Sequence, residues 1–536
     1  MNKLKFFSFL VMSTMISFSM ISCGGSKVKK GGGTNKTTSL TGWKPNDSKG
    51  WIFSGKQQKE KGWPGMVYVN GGTFTMGLVK DDVMHDWNNT PRRMQVSSFF
   101  IGETEVTNYD YRSYVTWLKF VFPPSDPAFK EIYTGALPDT LVWNNKLSRN
   151  DFAETYFRSP EFDNYPVVGI TWTQASKYCD WLTDRANEKA LMDQGIISKN
   201  FYVDEGNNQG ASAFNLDKFK SNDPEMMNYI DQKRLAQKSG IKSQNARIVA
   251  ANRNATSGVV QKFRLPTEVE WEFAALGLQK DRDYNNYLGK ESALDNLKGT
   301  KGRTRGMYLY NFKQGRGDYS GIAGWPNDGA PTTADVRQYP SNDLGIYGML
   351  GNVAEWTADV YRPIIDEEAS DFNYYRGNVV REVEKNPDGT YRMVDDSNIQ
   401  YDTLADGRLV YRQLPGQFSR REIADYSDYR DGDFMSSLDA GYGRTAEENE
   451  DYDMYNSPKV RFIVNENGNV ILEKDSSERT SQVSNEVRVV KGGSWLDTAY
   501  WLDPGQRRYK NENRAYSWVG FRVAQDAKDN HKRSRR

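Results

Sequence analysis

The stretch Arg264-Leu265-Pro266-Thr267-Glu268-Val269-Glu270-Trp271-Glu272-Phe273-Ala274 fixes where a helix begins and which face it buries. Thr267 can cap the helix through its hydroxyl. Glu270, three positions on, can return a bond to the backbone N–H of the cap, and together they make a capping box. Val269, Trp271, Phe273 and Ala274 supply the apolar face. Working upstream, residues 173–182 read as a second amphipathic helix with Ala175, Tyr178, Cys179 and Leu182 on one side. Residues 99–106 read as a strand, after which Thr107-Asn108 caps a helix carrying Tyr111, Tyr114, Val115 and Leu118 at helical spacing. Further back, Gly65 to Gly77 reads as two short strands around an Asn70-Gly71 turn, so a hairpin is expected there. Downstream of the quoted helix, short strands alternate with Gly, Asn, Asp and Pro. No period marks a solenoid or propeller.

The chain has 536 residues, with 71 Lys+Arg against 70 Asp+Glu. By length alone that is about three to four domain-sized masses, or one large domain with insertions. Near-zero net charge gives no overall field for gathering nucleic acid or acidic ligands, although local patches remain open to it. Mean hydropathy is low at −0.77. The 14 Trp, 31 Tyr and 25 Phe nevertheless supply buried area and argue against global disorder. Two His and two Cys exclude His/Cys zinc clusters, disulfide frameworks and most His-based catalysis within the chain.

Residues 1–22 read as an export signal, with Lys3 and Lys5 ahead of an apolar run at 6–20. At about 15 residues that run is short for a membrane span. Ile21-Ser22-Cys23-Gly24-Gly25 resembles a bacterial lipobox, with Met20 where Leu is usual, and makes Cys23 the acylated residue; an ordinary signal peptide that happens to contain Cys is the alternative. Residues 23–64 form a flexible tether that is basic just after Cys23. Two polar stretches, 185–262 and 361–485, interrupt the domain expected over 65–525. Within the second, residues 422–453 hold eleven acidic residues against two Arg, while the basic tail 526–536 closes the chain. Such runs are ordinarily solvated surface; an interaction role is the other reading.

Five segments together resemble the formylglycine-generating-enzyme/sulfatase-modifying-factor domain. They are Gly71-Gly72-Thr73-Phe74-Thr75-Met76-Gly77 with Glu103-Thr104-Glu105-Val106-Thr107-Asn108; Pro166-Val167-Val168-Gly169-Ile170-Thr171-Trp172 running into Tyr178-Cys179-Asp180-Trp181-Leu182; the helix quoted above; Gly351-Asn352-Val353-Ala354-Glu355-Trp356; and Val490-Lys491-Gly492-Gly493-Ser494-Trp495 through Gly520-Phe521-Arg522. The resemblance implies an irregular α+β fold, C-type-lectin-like, carrying the two long insertions. In catalytic members a cysteine pair after Gly-Gly-Ser holds copper, which prefers sulfur ligands. Here Asp497 and Leu502 stand at those positions, and Cys179 falls on an apolar helix face. Another branch binds iron through His, for which this chain offers only His85 and His531. The expectation is a pseudoenzyme that requires no cofactor.

The resemblance also implies two structural calcium sites. The first matches Asn311, the carbonyl of Phe312, Asp328 and the carbonyl of Ala330; the second matches the carbonyls of Gly351 and Val353 and the carboxylate of Glu355, with Gly348 where a side-chain ligand is usual. The alternative is that Glu355 simply hydrogen-bonds its loop and Asp328-Gly329 is a turn. Within the superfamily the chain is most similar to the gliding-motility lipoproteins of the Bacteroidota. That similarity rests on Asp81-Asp82-Val83-Met84-His85-Asp86-Trp87-Asn88-Asn89-Thr90-Pro91 and on Gly135-Ala136-Leu137-Pro138-Asp139-Thr140-Leu141-Val142-Trp143. It implies a lipid-anchored outer-membrane protein that faces the periplasm, since no acidic cluster follows Cys23. Its partners would be other gliding and type IX secretion lipoproteins and outer-membrane components, with no nucleic acid. The second expectation is a lectin-like module that holds glycan or peptide in a groove lined by Trp325, Trp495 and Trp501, although those Trp also read as core anchors.

Overall fold

The computed structural model describes residues 63–77, 89, 91–144, 151–193, 197, 210–221, 260–277, 305, 307–313, 329–361, 380–423, 460–464, 470–474 and 486–527. Cys23, His85, Trp325, Asp328, nearly all of 422–453 and the end of the basic tail with His531 lie outside the described residues. The strands are β1 (Met66–Val69), β2 (Gly72–Met76), β3 (Arg92–Val96), β4 (Phe99–Gly102), β5 (Phe263–Arg264), β6 (Ala354–Val360), β7 (Val380–Val383), β8 (Tyr401–Thr403), β9 (Leu409–Tyr411), β10 (Arg420–Ile423), β11 (Val460–Val464), β12 (Val470–Lys474), β13 (Val487–Lys491), β14 (Arg508–Asn511), β15 (Val519–Gly520) and β16 (Ala524–Asp526). The helices are α1 (Asn108–Val121), α2 (Lys130–Ala136), α3 (Asp151–Thr155), α4 (Trp172–Asp193), α5 (Leu216–Ser221) and α6 (Glu268–Leu276). One sheet has the order β1-β4-β16-β5 and another β14-β13-β6-β15, in which β15 runs parallel to β6. The remaining strands pair as β2-β3, β7-β10, β8-β9 and β11-β12.

The expected hairpin at Asn70-Gly71 is absent. Met66 lies opposite Gly102 and Val69 opposite Phe99, then Gly72 opposite Val96 and Met76 opposite Arg92. The register never slips, so 66–76 is one antiparallel run against 92–102 with a kink at Asn70-Gly71. Gly71 is not among the residues of positive φ that a tight two-residue turn would need. It serves close approach instead: its N–H donates to Ser98 Oγ at 3.0 Å, and a Cβ there would lie 2.4 Å from the Val96 carbonyl.

The capping box of α6 is present. The Thr267 hydroxyl accepts from the Glu270 N–H at 3.1 Å, and Glu270 Oε2 accepts from the Thr267 N–H at 2.9 Å. Val269, Trp271, Phe273 and Ala274 are buried as expected, and so are Glu268, Glu270 and Glu272. The helix is enclosed on every side because cations meet its carboxylates; Arg264, for one, forks onto Glu270 at 2.6 and 2.7 Å.

Helix α4 runs well past the expected end at 182. Ala186, Ala190 and Leu191 continue its buried face, and Arg185 lies 4.3 Å over the Trp117 ring. Residues from 185 onward therefore begin as the last turns of a core helix. Between α1, α4 and the second sheet, Tyr111, Tyr178, Trp181, Trp356 and Phe521 form the first core cluster. Tyr111 stacks on Tyr178 at 5.6 Å, and Trp356 Nε1 donates to the Ile170 carbonyl at 3.0 Å. Each such ring pair contributes about 0.5–1.5 kcal/mol beyond its area. Cys179 is 2 % exposed in this core, and burial raises its thiol pKa, which makes it inert. A second cluster joins β2, β3 and α6 through Phe74, Met94, Trp271, Phe273 and Leu350.

The described part of 361–485 packs on the domain rather than standing apart from it. The Tyr411 and Tyr114 hydroxyls are 2.6 Å apart, and Arg408 donates to the Leu137 carbonyl at 2.6 Å. Gly135 lies so close to β9 that a Cβ would sit 1.9 Å from the Leu409 carbonyl oxygen. Asn215 and Asp217 of the other insertion meet the Gly416 carbonyl and Arg420, each at 2.8 Å.

Lys177, 6 % exposed on α4, donates to the Arg412 carbonyl and lies 5.7 Å from the Tyr411 ring. Burial lowers its pKa to about 8; Arg381 and Lys262 add to the shift, while Asp180 and Asp402 oppose it. An unfolded lysine titrates near 10.5, so between pH 8 and 10.5 the unfolded chain holds a proton that the folded chain has released. Stability therefore gains from rising pH in that window. The difference in melting temperature between wild type and Lys177→Met should shift in wild type's favour as pH climbs from 8; parallel profiles would show that Lys177 does not carry the effect.

Candidate functional site

β13 ends at Lys491 and leads into Gly492 and Gly493, with φ of 96° and 65°. That left-handed pair suits glycine, and a Cβ on Gly492 would lie 2.8 Å from the Trp271 ring. The turn delivers Ser494, whose hydroxyl donates to Asp497 Oδ2. Asp497 also accepts a bidentate pair from Arg508 at 2.6 and 2.8 Å, and its carbonyl accepts from the Lys313 N–H at 2.7 Å. The Arg508 guanidinium lies 4.6 Å from the Trp501 ring and 4.5 Å from the Trp518 ring. Leu502 is 2 % exposed and packs into the second core cluster. Asp497 thus sits in a closed, aromatic-flanked ion pair and Leu502 is a core aliphatic. Neither offers a soft ligand or a redox group.

Trp495 stacks on Trp143 at 6.0 Å and is half-buried, as is Trp501. Lys510 lies 5.6 Å from Trp518 and 5.5 Å from Tyr516. Burial lowers its ammonium pKa, and neighbouring Arg508 and Arg514 lower it further. The result is a partly exposed strip of indole, phenol and cationic groups.

The residues matched to the calcium sites converge on Asn352, a residue the sequence reading quoted without giving it a role. Asn352 is the one non-glycine residue with positive φ (63°) among those described. Its αL conformation is one Asn tolerates, and that could have flagged it. Its N–H donates to the Asn311 carbonyl at 2.8 Å, and its Oδ1 accepts from the Ala334 N–H at 2.8 Å. Its Nδ2 donates to Glu105 Oε1 at 3.0 Å. Gly351, at φ 71°, must be glycine, since a Cβ would lie 2.3 Å from the Asn311 carbonyl. The Asn311 side chain donates to the Thr332 carbonyl at 2.7 Å. Phe312, Ala330 and Val353 are buried.

Glu355 is fully buried. Oε2 accepts from Arg522 Nε at 2.6 Å and from Trp271 Nε1 at 2.8 Å, and Oε1 accepts from Arg522 Nη2. These bonds go to Arg522 and Trp271 rather than to the loop that carries Glu355. Burial works against the charge on Arg522, yet Glu355 holds its pKa above the ordinary value.

Glu105 also escaped assignment. It is 1 % exposed, and burial pushes its carboxyl up to about 8, with Arg522 opposing and Glu355 adding to the shift. Oε1 is taken by Asn352; Oε2 has no hydrogen-bond partner among the described residues. Gly348 (φ 63°) leaves the space this carboxylate fills, because a Cβ there would meet Glu105 Oε2 at 2.3 Å. Among the described residues no group of three or more His, Cys, Asp or Glu side chains converges to hold a metal ion.

The chain belongs to the family of the sulfatase-modifying factor enzyme 1-like domain, whose profile matches residues 53–402 and 449–527. Similar proteins include the inactive C-alpha-formylglycine-generating enzyme 2 of Mus musculus, 35 % identical over 314 residues, covering 56 % of this chain and 70 % of that protein. The protein of the same description from Bos taurus is 36 % identical over 314 residues, covering 55 % and 71 %. The formylglycine-generating enzyme of Mus musculus is 21 % identical over 310 residues, and the chain spans only 58 % of its length. Among solved structures, PvdO from Pseudomonas aeruginosa aligns with a TM-score of 0.35 at 12 % identity, covering 88 % of this chain and 97 % of that one.

Proposed function

We propose that this chain is a non-catalytic lipoprotein of the outer membrane, a structural or stabilising component of the gliding-motility and type IX secretion machinery. In this reading the chain is a gliding lipoprotein of the GldJ type, with the GldK type as the second choice. The observation that carries the non-catalytic part is the Asp497–Arg508 ion pair with Leu502 in the core, where copper-binding thiols would be required. Similarity to family members described as inactive is compatible with it.

In this reading acylated Cys23 holds the protein on the periplasmic face of the membrane, several acyl chains anchoring far more firmly than one. Partners would be the other lipoproteins and outer-membrane components of the machine. The experiment is affinity capture of the full-length protein from detergent-solubilised outer membrane, combined with an oxygen-uptake assay on a Cys-containing peptide and copper. Co-purification of secretion components with no oxygen uptake is expected. Thiol turnover would end the non-catalytic reading, and capture of no such component would end the scaffold reading.

A second reading, a binding module for glycan or peptide on a lectin-like fold, is favoured by half-buried Trp501, Trp518 and Tyr516 beside Arg508 and Lys510. Saturable glycan binding lost in Trp501→Ala would select it. Calcium at Asn311, Phe312, Asp328 and Ala330 remains part of the proposal, as a structural element.

A further inference from the structure

We propose that the outer edge of β14 (Arg508–Asn511) takes an acidic, extended segment of a partner protein as an added strand, with Lys510 and Arg514 meeting its carboxylates. The surface is the one in the second reading above, and the proposal rests on that reading while committing it to a peptide.

The backbone comes first. The sheet runs β14-β13-β6-β15, and among the described residues no strand pairs with the far side of β14. Val487 lies opposite Asn511, and the Glu512 N–H donates to the Glu486 carbonyl at 2.7 Å. Bonded pairs alternate in an antiparallel ladder, so Arg508 and Lys510 turn their backbone groups to β13, while Tyr509 and Asn511 turn theirs outward. The Asn511 carbonyl accepts from the Arg514 N–H at 3.2 Å, which leaves the Tyr509 N–H and C=O and the Asn511 N–H for an incoming chain. Tyr509 is 45 % exposed. Beyond the strand, the carbonyls of Glu512 and Asn513 accept from the Thr173 and Ala405 N–H groups at 3.4 and 3.0 Å, so pairing is confined to residues 508–511.

Charge then selects the partner. Arg508 is neutralised by Asp497 at 2.6 Å, and Glu512 is neutralised by Arg488 at 2.7 Å. Lys510 and Arg514 have no ion-pair partner among the described residues and stand as surplus cations. Lysine on an edge strand ordinarily keeps other strands away. A carboxylate opposite it reverses the sign, because opposite charges across a strand pair attract and like charges repel. Alternate side chains of an added strand would share the face that carries Arg508 and Lys510. On that face Lys510 lies 5.6 Å from the Trp518 ring and 5.5 Å from the Tyr516 ring, and Arg514 lies 5.9 Å from Tyr516. Both rings are half-buried and offer rigid apolar contact. In strand addition the main chain supplies affinity and the alternate side chains supply specificity. A glycan could use the rings and cations, but only a peptide satisfies the outward backbone groups as well.

The test uses the full-length chain and a short fluorescein-labelled peptide of alternating glutamate and valine, read by fluorescence anisotropy. Saturable binding is expected, weakening by about tenfold or more between low and high salt. A peptide of alternating lysine and valine should not bind. Lys510→Glu should weaken the acidic peptide by about tenfold or more and should admit the lysine peptide instead, a gain that a misfolded variant would not show. Two acidic peptides N-methylated at one or the other alternate set of amides probe the backbone without altering charge. One should lose about tenfold or more in affinity and the other little, since only one set faces β14. No binding of the acidic peptide by wild type, equal affinity for the lysine peptide, or equal effects of the two methylation patterns would each overturn the proposal. Glycan binding lost in Trp501→Ala with no peptide binding would overturn strand addition and leave the second reading standing; absence of both would remove that reading too.

Discussion

Arg522→Met should destabilise the fold by about 3–5 kcal/mol, the range for removing one partner of a buried ion pair. Arg522 is fully buried and serves three acceptors besides the second Glu355 oxygen: Glu355 Oε2 at 2.6 Å, the Gly102 carbonyl at 3.1 Å and the Tyr347 carbonyl at 2.9 Å. Methionine fills much of the volume but offers no donor. Glu355 would keep only its bond from Trp271, and Glu105 would lose the nearest cation that offsets its burial. Most of the loss thus comes from a stranded charge rather than from a missing attraction. It follows that Arg522→Met combined with Glu355→Gln should be more stable than Arg522→Met alone. Thermal or urea unfolding reads both. A single variant within 1 kcal/mol of wild type would show that water reaches this cluster.

Lys491→Met should be nearly as damaging, by a separate route. Lys491 Nζ lies 3.0 Å from Glu272 and 3.6 Å from Glu268, with Arg507 Nε 2.7 Å from Glu268. All four side chains are buried, and their charges balance two against two. They join β13 to α6 and to the segment before β14, the framework that positions the Gly492-Gly493 turn. Without Lys491, Glu272 retains the Gly77 N–H, 2.7 Å from its other oxygen, and a loss of about 3 kcal/mol or more is expected. Glu272→Gln in the same chain should recover part of it, because the two residues are in direct contact and their effects are not additive. Equal losses in the single and double variants would deny the coupling.

How much of this could be read in advance depended on how far apart the partners stand. The α6 start was legible because Thr267 and Glu270 settle it between themselves, three residues apart. The Asn70-Gly71 kink was misread because that dipeptide suits a tight turn equally well. What decided it was the pairing of 66–76 with 92–102, a non-local fact. Helix α4 reads as ending at 182 because Arg185 and Glu188 look like surface in sequence; they are buried against one another, with Arg185 over the Trp117 ring.

The site divides the same way. Asp497 and Leu502 could be found by position in a motif, but nothing local shows that Arg508 and two indoles close over Asp497. Glu355 and Arg522 stand 167 residues apart, and Glu105 and Asn352 stand 247 apart. Their motifs were visible and their bonds were not.

The ion pair at Asp497 also bears on which substitutions this turn can accept. Cysteine at 497 alone would leave the Arg508 cation between Trp501 and Trp518 without its counter-ion. Cysteine at 502 alone would open a hole in a packed aliphatic site. Each change is harmful before the other is made, so a thiol pair could enter here only through several coordinated replacements.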